Sequence, residues 1–497
     1  MSGRTFDAVR GARIVGPGAE LLPDAGLHDL LLADGRIADI APTGALRLPG
    51  DVLEAEGAFL VPGLWDHHVH ATQYALAVRR VPLDAMGSAA EAARRMADAP
   101  ILADGRRIGV GMRDAFWPDA PSLELLDAAT GDVPTYLINA DLHSVWVNSA
   151  ALAREGFDTP DGVLREGPAF EVGLRMNLGD PLSADAAVLA MAADAARRGV
   201  VGIVDLDLMW NAESWSRRAA AGFDGLRVEF GIYPNDLERA IAAGLRTGDV
   251  LAGAPQDLIR VGPMKVITDG SLGTRTAACS HPYGDDPADR GVLAVPPEEL
   301  LALMMTATGA GFASAIHAIG DEANRFALDA FAATGAWGTI EHAQLVARSD
   351  IPRFARLGVG ASVQPAHAID DRDLTDTIWA DQTATAYPLR SFIDAGANVL
   401  LGSDAPVAPL DPWVSMAAAV FRTRDGREPW RAEETLPLET ALAASTHRGS
   451  LHPSSIEVGG RADLVLCAED PRRADEPGLR SMEVRATLLS GRATHLA

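Results

Sequence analysis

The feature that most constrains the fold is an alternation of short apolar runs with alanine-rich helical stretches through the middle of the chain. Such alternation is typical of β-α units that build a parallel sheet. There are eight apolar runs, the strand number of a (β/α)8 barrel, and about 250 residues plus insertions fit within this chain. We predict an α/β fold of this TIM-barrel type, with strands at residues 59–65, 200–205, 226–232, 261–268, 312–317, 338–342, 358–364 and 398–404.

The two ends of the chain differ from the middle, because they carry strand patterns without long helical ones. These strand-like runs are 29–40, with a turn signal at Asp34-Gly35, 51–61, 462–467 and 484–489. We expect residues 1–58 and 453–497 to form one small β-sandwich module beside a barrel of residues 59–452. The stretch at about 101–178 is too long for one helix and predicts an inserted subdomain after the first barrel strand.

The composition of the chain limits the kinds of molecule that we expect it to bind and the compartment in which we expect it. The formal charge of −25 argues against nucleic acid and anionic membrane surfaces, so we expect a small-molecule substrate. No apolar run reaches the roughly 18 residues of a membrane span, and the first residues lack the apolar core of a signal peptide. Two cysteines, Cys279 and Cys467, exclude a disulfide framework and suit a reducing compartment, which predicts a cytoplasmic protein.

Polar residues occur at the predicted C-terminal ends of the strands, where the active sites of such barrels lie. His68 and His70 are two residues apart, so both imidazoles can face one ion from an extended segment. Taken singly, each polar residue also has a structural interpretation, such as a loop histidine or a capping aspartate. Nitrogen ligands with a carboxylate favour Zn²⁺, with Mn²⁺, Co²⁺ or Fe²⁺ as alternatives. The candidate metal ligands are His68, His70, His317, His342 and Asp404, and Lys265 falls at a strand end of the same predicted barrel.

Lys265 is the only lysine, and every other member of the 43 basic residues is an arginine. Heavy use of alanine, arginine and glycine indicates a coding bias that replaces lysine wherever charge alone matters. Arginine stays protonated, whereas a buried lysine can lose its proton and act as a nucleophilic amine. The retained lysine therefore marks a position that needs an amine, with a surface residue or a structural ion pair as the alternative.

Further residues are candidates for supporting roles. Asp66 and Asp269 can accept hydrogen bonds from ligating imidazoles, with a turn or cap as the alternative, and Asp269 can also contact substrate. His367 follows the seventh predicted strand and can line the substrate pocket. Trp65 is a candidate wall for an apolar substrate group, with core packing as its alternative.

Longer motifs surround these residues. They are 62–70 (PGLWDHHVH), 264–277 (MKVITDGSLGTRTA), 317–321 (HAIGD), 340–344 (IEHAQ), 364–365 (QP) and 402–406 (GSDAP). In this order they resemble the amidohydrolase superfamily, and more narrowly amidohydrolase family 3, in its branch similar to N-substituted formamide deformylase. The resemblance covers nearly the whole chain. Segment 141–149 (DLHSVWVNS) resembles a further family motif and makes His143 a candidate substrate contact, with a structural role as the alternative.

The resemblance implies a binuclear metal centre. In related members, a lysine at the position of Lys265 reacts with CO₂ to give a carbamate that bridges two ions. One ion would be held by His68, His70 and Asp404, and the other by His317 and His342. A metal-bound hydroxide would attack a polarised carbonyl, and Asp404 would pass the proton to the leaving amine as the catalytic acid and base. In a one-ion alternative, Lys265 stays a free amine and positions substrate.

The expected function is metal-dependent hydrolysis of non-peptide C–N bonds, in linear amides or N-acyl and N-formyl amines, as in EC 3.5 enzymes. One alternative keeps the fold but acts on cyclic amides or deaminates rings. The other is a non-catalytic scaffold with the same fold, although such proteins lose metal ligands and none is missing here. The family also suggests a homodimer.

Overall fold

The computed structural model describes residues 3–22, 26–177, 181–284, 286–380 and 383–497. The predicted end of the insertion, residue 178, lies outside the described residues. So do residues 1–2 and 23–25 of the predicted β module, and 179–180, 285 and 381–382 of the predicted barrel.

Eight parallel strands form the predicted barrel, and their order in the sheet is their order along the chain. A parallel bridge joins Val69, at the end of the first strand, to Ala405, in the loop after the last strand, so the sheet nearly closes. The predicted (β/α)8 fold is therefore confirmed. The strands, called β1 to β8 in chain order, are Leu64–Val69, Val200–Asp205, Arg227–Ile232, Ile259–Ile267, Ser314–Ala318, Gly338–His342, Gly360–Val363 and Val399–Leu401.

The prediction of a single first strand at 59–65 was wrong, because the structure has two strands in this region. Phe59–Pro62 pairs antiparallel with Leu464–Cys467 in the terminal sheet, whereas β1 begins at Leu64. Gly63 separates the two, and any side chain there would overlap a valine side chain of β2. The Pro62-Gly63 pair is a turn signal at this division, but the residues on both sides are apolar because both strands are largely buried.

The other barrel strands lie within a few residues of their predicted positions. The largest difference is at β8, which ends at Leu401 rather than at residue 404. Asp404 therefore lies in the loop after the strand, where its φ of 58° is in the left-handed region. This placement matters because it turns the Asp404 side chain towards β1.

The predicted β module from both ends of the chain is confirmed, since strands from the two termini share one sheet. Its hairpin turns at Asp34 and Gly35, as predicted. The module has an apolar core of its own, in which Val9, Leu30 and Leu488 are fully buried. The strands are Ala8–Ile14, His28–Ala33, Arg36–Pro42, Val52–Glu54, Phe59–Pro62, Leu464–Cys467, Val484–Leu489 and Arg492–Leu496.

The predicted insertion after β1 is confirmed, as a five-stranded sheet with helices, but its first strand begins at Val81 rather than at about residue 101. Separate apolar clusters pack against it, one around Leu137 and Trp146 and another around Tyr136 and Val147. Neighbouring residues of one strand thus point to opposite faces, as strand geometry requires. The strands are Val81–Pro82, Arg107–Met112, Thr135–Asn139, Ser144–Val147 and Val163–Arg165, and the helices are Ala89–Ala97, Leu123–Thr130, Ser149–Glu155 and Gly167–Asn177.

Helices surround the barrel and alternate with its strands. Within the described ranges, none of the helices combines the length and the apolar character needed to cross a membrane. The helices are Ala71–Ala77, Pro181–Ala196, Asn211–Ala220, Pro234–Ala242, Pro297–Gly309, Asp321–Thr334, Ile351–Leu357, Pro365–Asp370, Arg372–Ile378, Leu389–Asp394, Pro412–Phe421, Leu438–Ala444 and Glu476–Arg480.

Candidate metal centre

The structure brings all six candidate ligands to one cavity at the C-terminal ends of the barrel strands. Four strands supply the histidines and the lysine, and the loop after β8 supplies the aspartate. Strand alternation turns His68 and His70 to one face and Trp65 and His67 to the other. The six buried side chains are His68, His70, Lys265, His317, His342 and Asp404.

Asp404 lies between the two histidines that β1 supplies. Its Oδ1 is 3.4 Å from His68 Nε2 and 3.2 Å from His70 Nε2. One ligand atom each from His68, His342 and Asp404 fall within 4.8 Å of one another. These donor atoms are close enough to share a single ion.

His317 and His342 extend the group of ligand side chains around Asp404. The ring centroids of His317 and His342 are 4.5 Å apart, and those of His68 and His342 are 4.9 Å apart. Burial lowers the pKa of all three rings, which favours their neutral form. Neutral imidazole is the form that binds a metal ion.

Lys265 lies on β4 with only 1% of its surface exposed, and its Nζ has no hydrogen-bond partner among the described residues. Burial lowers the pKa of this amine to about 8, against the opposing charges of Glu341 and Asp404. A buried amine without a partner is costly unless another group completes the site. The lowered pKa also makes the neutral amine, the form that can react with CO₂, more accessible.

Two supporting residues were not identified from the sequence. Glu341 Oε2 accepts a hydrogen bond from His68 Nδ1 at 2.7 Å, and Gln364 Oε1 accepts one from His342 Nδ1 at 2.8 Å. These bonds leave Nε2 of each ring for a metal ion, an arrangement common in metal sites. A signal existed for Glu341, because a carboxylate inside an otherwise apolar strand needs a buried partner.

Asp66 and Asp269 lie behind the ligands, outside the lining of the cavity, and bind backbone amides. Asp66 Oδ1 accepts from the N–H groups of His68 and Ser403. Asp269 accepts from three backbone N–H groups that follow β4 and β5, and its Oδ1 is 3.4 Å from His317 Nε2. Burial raises the pKa of each aspartate to about 7. Neither carboxylate orients an imidazole through Nδ1.

Of the remaining candidate site residues, two line the cavity and one lies in the core. His143 and His367 line the cavity, and His367 Nε2 is 3.9 Å from Asp404 Oδ2. Trp65 does not line it, because strand alternation turns its ring away from His68. The Trp65 ring instead stacks on His447, with centroids 4.1 Å apart, and is buried in the core.

The side chains present fit a metal ion. The Nε2 atoms of His68 and His70 meet one carboxylate oxygen, and the Lys265 amine, which is unpaired within the part of the chain that the structure describes, lines the same cavity. This set of nitrogen and oxygen donors suits Zn²⁺ or a similar divalent ion. The arrangement therefore supports metal binding at this cavity.

Comparisons with known proteins agree with this site. A model of the amidohydrolase family matches residues 51–495. Protein LONG AFTER FAR-RED 3 of Arabidopsis thaliana is 30% identical, with 88% of this chain and 83% of the relative covered. N-substituted formamide deformylase of Arthrobacter pascens is 27% identical, with 93% of this chain and 94% of the relative covered.

A solved structure shares the fold. The crystal structure of an uncharacterized metal-dependent hydrolase from Pyrococcus horikoshii aligns with a TM-score of 0.76 and 24% identity, over 95% of this chain and 99% of that one. Because the family match spans most of the sequence, including every candidate ligand, the chain belongs to the amidohydrolase family and is a hydrolase of that family.

Proposed function

We propose that the protein hydrolyses linear amides, and in particular N-acyl or N-formyl amines, in a metal-dependent reaction of the EC 3.5 type. The observation that carries this proposal is the buried Lys265 amine, which has no hydrogen-bond partner among the described residues and lies beside four imidazoles and Asp404. Similarity to an N-substituted formamide deformylase over nearly the whole chain supports the substrate class.

The proposed cofactor is Zn²⁺, as one or two ions, with a CO₂-derived carbamate on Lys265 between them. The ligands of one ion would be His68, His70 and Asp404, and those of the other His317 and His342. Such ions supply Lewis acidity towards a carbonyl oxygen and lower the pKa of water. Glu341 and Gln364 would hold the rings of His68 and His342 in the ligating orientation.

Asp404 is the proposed proton carrier. Burial opposes its charge, but the neighbouring imidazoles, led by His68, hold its pKa well below its usual value. Its carboxylate is therefore ionised and can accept a proton from water, which it then delivers to the leaving nitrogen. The position of Asp404 favours its role as the proton carrier, because its Oδ1 already contacts two of the ligand rings.

The cavity also suits an apolar substituent on the substrate. The insertion contributes Phe116, Phe170 and Leu174 to the wall opposite the barrel strands. Pockets of this kind bind the apolar part of a ligand, while a few polar groups fix its orientation. We therefore propose that the insertion holds the group attached to the amide.

The test is a substrate panel with Zn²⁺-reconstituted protein. N-formyl and N-acyl amines are compared with hydantoins, lactams and aminopurines, and release of amine or ammonia is measured. We expect turnover of open-chain amides. Turnover of cyclic compounds only would reject the proposal, and a purified protein that binds no transition metal would favour a scaffold.

We also propose a cytoplasmic location. The two cysteines, Cys279 and Cys467, are both buried and free. Free thiols are typical of proteins in reducing compartments. Fractionation of cells that express a tagged chain would test the location.

A further inference from the structure

One helix of the insertion lies between the core of the insertion and the cavity. Helix Gly167–Asn177 supplies Phe170, Gly173 and Leu174 to the lining of the cavity. Its opposite side packs into an apolar cluster of the insertion, where Val172 is fully buried. This helix therefore forms one wall of the space in which a substrate must lie.

Gly173 lies on the side of this helix that faces the cavity. Residues three and four positions apart are neighbours on a helix surface, so Gly173 adjoins both Ala169 and Phe170. Both of these neighbours line the cavity. Because helical side chains lean towards the N-terminus of their helix, a side chain at position 173 would extend over Ala169 and Phe170 into the cavity.

Neither backbone conformation nor packing requires a glycine at position 173. The residue lies inside a helix and is not among the positions with positive φ. A Cβ atom at this position would meet no atom of the described residues within 4 Å. Gly202 shows the usual contrast, because a Cβ atom there would overlap the Trp65 ring.

A glycine inside a helix also has a cost. Glycine loses more backbone freedom than alanine when a helix forms, so alanine is the more stable residue at such positions. This chain uses alanine freely in its helices, as in Pro181–Ala196, where half of the residues are alanine. The missing methyl group at Gly173 therefore points to an occupant of the cavity rather than to a neighbour within the described protein.

The position of Gly173 indicates which part of a substrate would use this space. The His143 ring centroid is 5.9 Å from that of the ligand His317, and the Phe170 ring centroid is a further 5.2 Å from His143. Phe170 and the adjoining Gly173 are thus separated from the ligand side chains by a whole ring. A short group on the amide would end before this point, whereas a long one would reach it.

The wall around Gly173 is apolar. The charged residues of the helix, Glu171 and Arg175, are exposed, pair with each other and do not line the cavity. Phe170 and Leu174 adjoin Gly173 on the cavity side. Apolar surface of this kind favours an alkyl or aryl group over a charged one.

We propose that Gly173 is a specificity-determining residue, which leaves room in the cavity for a long apolar substituent on the amide. This inference rests on the proposed function and adds a size preference to it. Long apolar substituents would gain contact with Phe170 and Leu174 above the space at Gly173, so the enzyme would prefer them to short ones.

The experiment compares N-ethylformamide with N-octylformamide, using Zn²⁺-reconstituted protein. Gly173→Leu fills the space beside Phe170. We expect it to lower kcat/KM for the octyl substrate about tenfold to a hundredfold and to change kcat/KM for the ethyl substrate less than about threefold. Gly167→Leu is the matched control, because Gly167 is exposed in the same helix, does not line the cavity, and a Cβ atom there meets no described atom within 4 Å. It should match the wild type on both substrates.

Further measurements separate a substrate contact from a structural role. Gly173→Ala adds one methyl group and should lower the octyl-to-ethyl preference less than Gly173→Leu does. Its melting temperature should equal or exceed that of the wild type, because alanine favours the helix. The loss in Gly173→Leu should appear as a raised KM for the octyl substrate, since the lost contact is far from the reacting atoms. Metal content should stay at the wild-type level in each variant.

Several results would overturn the inference. Equal losses on the two substrates would assign Gly173 a structural role, and an unchanged octyl-to-ethyl preference in Gly173→Leu would show that the substituent does not reach this helix. A wild type that hydrolyses only the ethyl substrate would show that the space is not used. Each of these results leaves the proposed function standing. If the wild type hydrolyses no open-chain amide, the proposed function fails and this inference fails with it.

Discussion

Two of the ligand imidazoles each donate a hydrogen bond from Nδ1 to a side-chain oxygen atom. Glu341 holds His68 and Gln364 holds His342, with hydrogen bonds of 2.7 and 2.8 Å. The Thr339 hydroxyl in turn donates to Glu341. Such partners fix the ring orientation and raise the basicity of the ligating nitrogen. The supporting groups therefore contribute to metal affinity although they do not contact the ion.

Glu341→Gln tests this contribution. The substitution keeps the shape of the side chain and removes the charge behind His68, so we expect Zn²⁺ affinity to fall about 10–100-fold. The measurement is metal affinity by competition with a chromophoric chelator. Glu229→Gln is the control, because Glu229 forms a similar pair with His447 outside the centre. Equal affinities of Glu341→Gln and wild type would refute the role.

Lys265 offers a second test at this scale. Lys265→Ala should reduce hydrolysis to the uncatalysed rate and lower metal content, because no bridging group can form. Lys265→Arg should be no better, since a guanidinium stays protonated. The measurements are turnover and bound metal per chain. Near-normal turnover by the Arg variant would exclude the carbamate, and partial rescue of the Ala variant by short carboxylic acids would support it.

For single residues, the sequence predicted those side chains whose positions are set by the ends of the barrel strands. His68, His70 and Lys265 could be predicted because barrel strands deliver their last residues to one face. Gln364 could not, because its contact with His342 joins two strands and depends on side-chain rotamers. Trp65 was misplaced although strand alternation, counted from His68 and His70, already turns position 65 to the opposite face of β1.

The strand ends are shaped by close packing and by unusual backbone conformations. His342 and Asp404 have φ values of 73° and 58°, in the left-handed region that disfavours residues with side chains. Gly402, between β8 and Asp404, lies so close to β1 that a Cβ atom would be 2.8 Å from the backbone nitrogen of His68. This glycine lets the Asp404 loop approach His68.

Gly402→Ala should therefore damage the centre. The added methyl group would push β8 away from β1, and we expect a loss of about 1–3 kcal/mol in the free energy of unfolding together with weaker metal binding. Denaturant titration and metal analysis provide the measurements. Gly309→Ala, where a Cβ meets no atom, is the control and should be neutral. Unchanged metal binding in Gly402→Ala would contradict the packing argument.

Periodicity predicted the number and order of the barrel strands because eight buried parallel strands produce eight continuous apolar runs. Periodicity alone missed the break at Gly63, because the residues on both sides are apolar, although Pro62-Gly63 is a turn signal. The pairing of Phe59–Pro62 with the terminal sheet separates the two strands in the structure. Strand pairing is a long-range property that local sequence does not carry.

The terminal sheet is joined to the barrel by a buried ion pair. Arg227 at the start of β3 binds Asp463 through two hydrogen bonds of 2.6 and 3.2 Å. The side chains are 4% and 11% exposed. Without Asp463, the buried Arg227 would keep, among the described residues, only the more distant carboxylate of Asp257, at 3.3 Å, to balance its charge. The pair of Arg227 and Asp463 therefore couples the stability of the two modules.

Asp463→Ala should lower the free energy of unfolding by about 2 kcal/mol, since the buried Arg227 loses two charge-assisted hydrogen bonds and keeps Asp257 as its remaining charged partner. Denaturant unfolding followed by circular dichroism measures the change. Glu54→Ala removes the half-exposed partner of Arg10 and should cost less than about 1 kcal/mol. A similar small cost in both variants would show that the pair does not couple the modules.

Metal dependence is the property of the whole molecule on which the proposed function depends. The direct measurement is the hydrolysis rate of the best open-chain amide against bound Zn²⁺, in protein stripped with a chelator and then reconstituted. We predict no activity in the stripped protein and a rate that rises in proportion to bound metal. Full activity in protein that contains no transition metal would contradict a metal-dependent hydrolase.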